Sequence, residues 1–178
     1  MADDRRAWLR RRYLSLGVGE LFAAAVFAGV AAIAVTPRID DPDGQRALWA
    51  ALVPLLAVLV QAGTYWLLAR GWVERGPMPA SLRGLYQAFR VADVVLLLAG
   101  LIGVLVWRPG GSGMTVLLVV ATWLFAVVEY VNYFVVRLAY PASHWSRMVR
   151  QWRTPRLVQD VRSTRAMAQS SRSSADGT

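Results

Sequence analysis

The chain contains no cysteine and no lysine, one asparagine (Asn132) and one histidine (His144). Without cysteine there are no disulfides, thiolate nucleophiles, cysteine-bound zinc or iron–sulfur clusters. A lone histidine does not build a His-rich metal site. All 20 basic side chains are therefore arginine, a bias that points to a GC-rich bacterial genome and says nothing about chemistry. Charge is scarce as well. Only 17 % of the 178 residues are charged, whereas a soluble domain carries about a quarter.

The deficit is uneven: charges gather at the chain ends and in short gaps between long apolar runs. That distribution belongs to a chain that crosses a bilayer. Four runs reach the ~20 residues that a helix needs to cross the hydrocarbon core. They cover about 14–36, 47–69, 86–107 and 114–136. Pro37 and the run Asp41-Pro42-Asp43-Gly44 break the first gap, Gly76-Pro77-Met78-Pro79 the second, and Pro109-Gly110-Gly111 the third. Short gaps make consecutive helices antiparallel neighbours, so the expected fold is an all-α, polytopic four-helix transmembrane bundle running up-down-up-down. The first run resembles a secretory leader in following Arg-rich residues and ending near Ala32-Ile33-Ala34. It exceeds the roughly 7–15 apolar residues of a leader core and Glu20 interrupts it, so it is read as a retained span.

Arginine sets the expected orientation. Arg5, Arg6, Arg10, Arg11 and Arg12 precede the first span; Arg70, Arg75 and Arg83 flank the second gap; eight more lie between Arg137 and Arg172. The other two gaps carry only Arg38, Arg46 and Arg108, with Asp40, Asp41 and Asp43 opposing the first two. This imbalance places both termini in the cytoplasm of a bacterial inner membrane. Trp49 and Trp107 then fall near the outer interface, and Trp8, Tyr13, Trp72 and Tyr140 near the inner one.

The chain divides into an Arg-rich amino-terminal segment (1–13), a transmembrane domain (14–140), a membrane-surface segment (141–162) and a tail (163–178). In the third, Trp145, Met148, Val149 and Trp152 recur at helical spacing, with Arg147, Arg150 and Arg153 on other faces. The pattern predicts a short basic amphipathic helix in the inner headgroup layer, with anionic lipid as its partner. Leu157, Val158 and Val161 continue it after Pro155, and the Ser-, Arg- and Ala-rich tail predicts disorder. No nucleic-acid motif accompanies the net charge of +9, so nucleic acid is not expected as a partner.

The informative residues are those that interrupt the apolar pattern. They are Glu20 in the first span, Gln61 and Tyr65 in the second, Arg90 and Asp93 in the third, and Glu129, Asn132 and Tyr133 in the fourth. Counted from the cytoplasmic ends, all lie roughly 4–14 Å into the membrane at 1.5 Å per residue. Tyr86, Arg90 and Asp93 share a helical face, as do Gln61 with Tyr65, and Glu129 with Asn132 and Tyr133. Intramembrane charge faces the bundle interior, so one inner-leaflet cluster is expected, with Arg90 paired to Asp93 or Glu129. Gly17 and Gly19 are expected to admit a neighbouring backbone near Glu20, and Pro54 to bend the second helix. Three carboxylates against one arginine leave negative charge uncompensated, so one carboxyl is expected to keep its proton, or a cation to supply the balance.

Such a cluster supports several functions. No Ser–His–Asp, HExxH or Gly-rich phosphate motif is present, so no catalytic residue and no cofactor are assigned. Oxygens from Glu20, Asp93, Glu129 and Asn132 suit a hard cation, but Glu129-x-x-Asn132 replaces the Glu-x-x-His of di-iron bundles and no metal site is assigned. The reading that asks least is a scaffold or accessory subunit whose polar cluster holds the helices in register and binds lipid or a membrane partner. The alternative is a small ion- or proton-coupled carrier using Glu20, Asp93 and Glu129. Four helices are few for a carrier, so it would need a second copy or a partner subunit, and no inverted repeat is visible.

Overall fold

The computed structural model describes residues 2–72, 78–109 and 113–135. The surface helix expected around 145–153 and the tail lie outside these residues, as do residues 73–77 of the second gap and 110–112 of the third. Among the described residues all regular structure is helical: α1 (Ala2–Gly29), α2 (Pro42–Ala69), α3 (Ala80–Val106) and α4 (Gly113–Tyr130). Four stretches are long and apolar enough to cross a membrane, namely Ala7–Arg38, Pro42–Ala69, Ala80–Val106 and Gly113–Phe134. The described residues are those of a helical, multi-pass membrane protein.

Helix ends differ from what the apolar runs suggest. The Arg-rich segment before residue 14 is the first part of α1, where the Arg12 guanidinium lies 5.1 Å from the Trp8 ring centroid in a cation–π contact. Asp41-Pro42-Asp43-Gly44 does not merely break the chain; it starts α2. The Asp41 carboxylate accepts from the backbone N–H groups of Asp43 and Gly44, both at 3.1 Å, and Pro42 takes the first helical position. There a missing N–H costs nothing, because the first-turn donors have no intrahelical acceptor. The Gln45 side chain then donates to the carbonyls of Thr36 (3.2 Å) and Ile39 (2.8 Å), tying the loop to the new helix. Two helices end in widened π turns: α1 continues through Val30–Val35, and α4 through Val131–Val135.

Packing is organised around α2. Of its most apolar 18 residues 56 % are buried, against 11 %, 22 % and 11 % for the same length of the first, third and fourth stretches. It packs broadly on α1, α3 and α4, while α3 and α4 share a narrower contact. Close approach explains the choice of small residues. A Cβ on Gly63 would lie 2.8 Å from Leu21 Cγ and 3.0 Å from the Gly17 carbonyl oxygen. One on Gly100 would lie 2.6 Å from the Ala50 carbonyl oxygen and 3.0 Å from Pro54 Cγ. Backbones thus meet where lipid gives helices no hydrophobic reason to associate. Gly17 has the role expected of it. Gly19 does not, because a methyl group there would meet no neighbour within 4 Å. Pro54 is buried inside an uninterrupted α2.

The core changes character along the bundle. One end is aromatic, with Tyr13, Tyr65, Trp66, Tyr86 and Phe134 packed around Ala69 and Met78. Edge-to-face contacts link Tyr13 to Trp66 (5.1 Å), Trp66 to Tyr65 (5.2 Å) and Tyr65 to Tyr86 (5.5 Å). The rest is aliphatic, built on Ala24, Leu52, Leu55, Leu59 and Leu97, then on Ile39, Ala47, Leu48 and Val119. Outward faces carry exposed apolar residues such as Phe22, Ile33, Val91, Ile102 and Leu117, as a lipid-facing surface requires.

The contact of α2 with α3 gives a direct test. Gly100→Ala forces a methyl against the Ala50 carbonyl and is expected to lower unfolding free energy in detergent by about 1–3 kcal/mol. Gly19→Ala, in open space, is expected to leave it unchanged or raise it by up to about 1 kcal/mol. Chemical denaturation followed by circular dichroism measures both.

Candidate functional site

The polar residues expected to form one cluster divide into two groups at the aromatic end of the bundle. The first joins α2 to α3. Gln61 Nε2 donates to Asp93 Oδ1 at 2.8 Å, and the Tyr86 hydroxyl donates to the Gln61 backbone carbonyl at 3.4 Å. Asp93 is 1 % exposed, and Tyr65, whose ring meets that of Tyr86, is equally buried. Two oxygens of this group, Asp93 Oδ2 and Gln61 Oε1, are buried with no hydrogen-bond partner among the described residues.

The second group joins α1 to α4. The Tyr133 hydroxyl donates to the Glu20 carboxylate. Asn132 hydrogen-bonds Glu129 through its side chain, and Glu129 lies within electrostatic reach of Glu20. Tyr133 packs against the aromatic cluster that holds Tyr65 and Trp66 of α2, so this group also rests on the central helix. Asn132 and Tyr133 sit in the π turn that follows Glu129. A π turn carries each residue through less rotation than an α turn, so it re-aims the side chains that follow it. Glu20, Glu129, Asn132 and Tyr133 are all half-buried.

The ion pair expected between Arg90 and Asp93 or Glu129 is not formed. Arg90 is exposed, and its backbone carbonyl accepts the Tyr130 hydroxyl at 3.4 Å. Asp93 turns to Gln61 instead. The physical reason is the high cost of dehydrating a guanidinium, set against a long apolar stem that lets it remain at the rim. The three carboxylates do not converge either: among the described residues no group of three His, Cys, Asp or Glu side chains comes together. The surface residues Trp145, Arg147, Arg150, Trp152 and Arg153 lie outside the described residues.

Two contacts escaped sequence reasoning. Trp123 Nε1 donates to the Leu97 carbonyl at 3.0 Å, and Tyr130 reaches Arg90 as described; both bridge α4 to α3. Trp123 carried a signal, since a tryptophan in the middle of a span lies far from the interfaces that tryptophan favours. Tyr130 carried none, being one aromatic in the run Glu129–Phe134. No family model, no curated protein and no solved structure matches the chain. The chemistry of the site itself therefore carries the functional reading.

Each polar group bonds one helix to another. For Gln61→Ala and Asp93→Ala, a double-mutant cycle on unfolding free energy is expected to show coupling of about 0.6 kcal/mol, the average for intramembrane hydrogen bonds, and no more than about 1.7 kcal/mol. Additive effects would show that the 2.8 Å contact contributes nothing.

Proposed function

We propose that the chain is a non-enzymatic scaffold or accessory subunit of a bacterial inner membrane, running up-down-up-down with both termini in the cytoplasm. Through its inner-leaflet polar face and the basic segment after the fourth span it binds anionic lipid or a membrane partner. The observation that carries this reading is the use of the intramembrane polar side chains. Gln61 and Asp93 link α2 to α3, Tyr133 and Glu20 link α4 to α1, and Trp123 links α4 to α3. Side chains committed to such bonds hold helices in register, which is what a scaffold needs. The Arg distribution supports the orientation, and Arg147, Arg150 and Arg153 supply the charge for anionic headgroups.

A specific observation favours a second reading. Glu20 and Glu129 are half-buried neighbours, and among the described residues no basic group stands between them. Two carboxylates near one another attract a proton or a hard cation. A small carrier, assembled from more than one copy, would use such a pair.

Native mass spectrometry of the full chain in mild detergent, with Glu129→Ala alongside, separates the two. The scaffold reading expects wild type to retain anionic lipid or a protein partner, and reconstituted vesicles to show no proton or cation flux. Flux that disappears in Glu129→Ala or Asp93→Asn would replace it with the carrier. Because the chain has no cysteine, single introduced cysteines report topology without background. Asp40→Cys is expected to react with a membrane-impermeant reagent from outside intact cells, and Gly76→Cys only after lysis.

A further inference from the structure

Asp93 is the one buried acidic residue among the described residues, and its surroundings are unlike those of a buried carboxylate. One oxygen accepts the Gln61 amide N–H at 2.8 Å. Among the described residues the other, Oδ2, has no donor, and the Gln61 carbonyl oxygen Oε1 has none either. Two acceptor oxygens belonging to the two halves of one hydrogen-bonded pair are therefore both buried with no donor among the described residues, a defect that buried polar groups rarely carry.

Among the described residues no cation stands opposite. On its own helix the flanking groups are the Tyr86 hydroxyl, committed to the Gln61 backbone carbonyl, and the exposed Arg90. From α2 come Gln61 and Tyr65, and from α4 the Tyr130 hydroxyl, committed to the Arg90 carbonyl. Glu129, the one acid on α4, engages Asn132 and Glu20. An ionised Asp93 would be an unpaired charge in a low-dielectric space, which is strongly unfavourable.

We propose that Asp93 is a neutral acid that shares its proton with Gln61, so that this pair is a proton-holding site between α2 and α3. A single proton on Oδ2 removes both defects, because it turns Oδ2 into a donor for Gln61 Oε1. The two groups then make two parallel bonds, N–H to Oδ1 and O–H to Oε1. A carboxyl and a primary amide match for this purpose, since both present two polar atoms on one planar carbon with similar separation. The terminal torsions of Asp and Gln, through which the second bond would close, are broad and soft. The occupant is thus a proton, and deprotonation would set acceptors against acceptors across the α2–α3 seam. The inference goes beyond the scaffold reading and holds whether or not the bundle binds a partner.

The test is infrared spectroscopy of the full chain in lipid nanodiscs at neutral pH, with the aspartate side-chain carboxyls labelled by carbon-13. The other seven aspartates lie outside the apolar stretches, apart from Asp43, which is exposed at the start of α2. Water-facing carboxylates are ionised at that pH. A protonated-carboxyl carbonyl band that moves to lower frequency on labelling therefore reports Asp93. The expected result is that such a band is present in wild type, absent in Asp93→Asn and displaced in Gln61→Leu. Asn carries an N–H where the proton would sit, so Asp93→Asn is expected to melt within about 4 °C of wild type. A wild-type spectrum in which all labelled carboxyls are ionised overturns the proposal, and would mean that a cation or a bridging water satisfies the two oxygens. The isotope measurement on wild type decides the matter even where a variant fails to fold.

Discussion

The structure depends on how closely other helices can approach α2. In a bilayer the lipid tails are as apolar as the side chains, so helices associate through tight packing and through polar bonds that lipid cannot replace. Gly63 and Gly17 bring α1 to within backbone contact of α2, and Gly100 lets α3 rest on the Ala50 carbonyl beside Pro54. α4 closes the third side through Val119 and Ala126, both fully buried. With three flanks occupied, α2 is the helix buried over the largest share of its apolar residues, and the other helices turn most of theirs outward.

The same constraint shapes the polar chemistry. A polar group placed between helices must find a partner there, and each group finds it on a different neighbour. Gln61 meets Asp93 across one seam, while Tyr133 meets Glu20 across another. The π turn after Glu129 matters here, because it places Asn132 and Tyr133 beside the carboxylates and not along a regular helical stripe. The result is two small acidic sites near the aromatic end, each resting on α2 and neither neutralised by Arg90. That is a weak basis for charge pairing and a sound one for holding protons or for locking helices together.

Much of the helical content was legible because it follows from length and hydropathy alone. A run of ~20 apolar residues admits few alternatives in a bilayer. The polar residues could also be named from sequence, since any charge in such a run stands out. Their partners could not. Arg90 and Asp93 sit three apart on one helix and looked like a pair, yet Arg90 is exposed while Asp93 is buried against Gln61. Gly17 and Gly19 looked equivalent, and only Gly17 meets a backbone. Asp41–Gly44 looked like a breaker and serves as a helix start, because proline and an acidic cap interrupt one helix and begin the next with the same chemistry.

The sequence by itself determined that this is a helical membrane protein, which stretches are long and apolar enough to cross a bilayer, and which side chains interrupt them. Those properties are local: each depends on a residue and its near neighbours along the chain. Only the tertiary structure decided that α2 lies at the centre, that the carboxylates separate into two groups, and that Asp93 faces an amide and not an arginine. These depend on the rotation and depth of each helix against its neighbours. Rotation and depth are fixed by backbone contacts at a few small residues, and hydropathy does not register them.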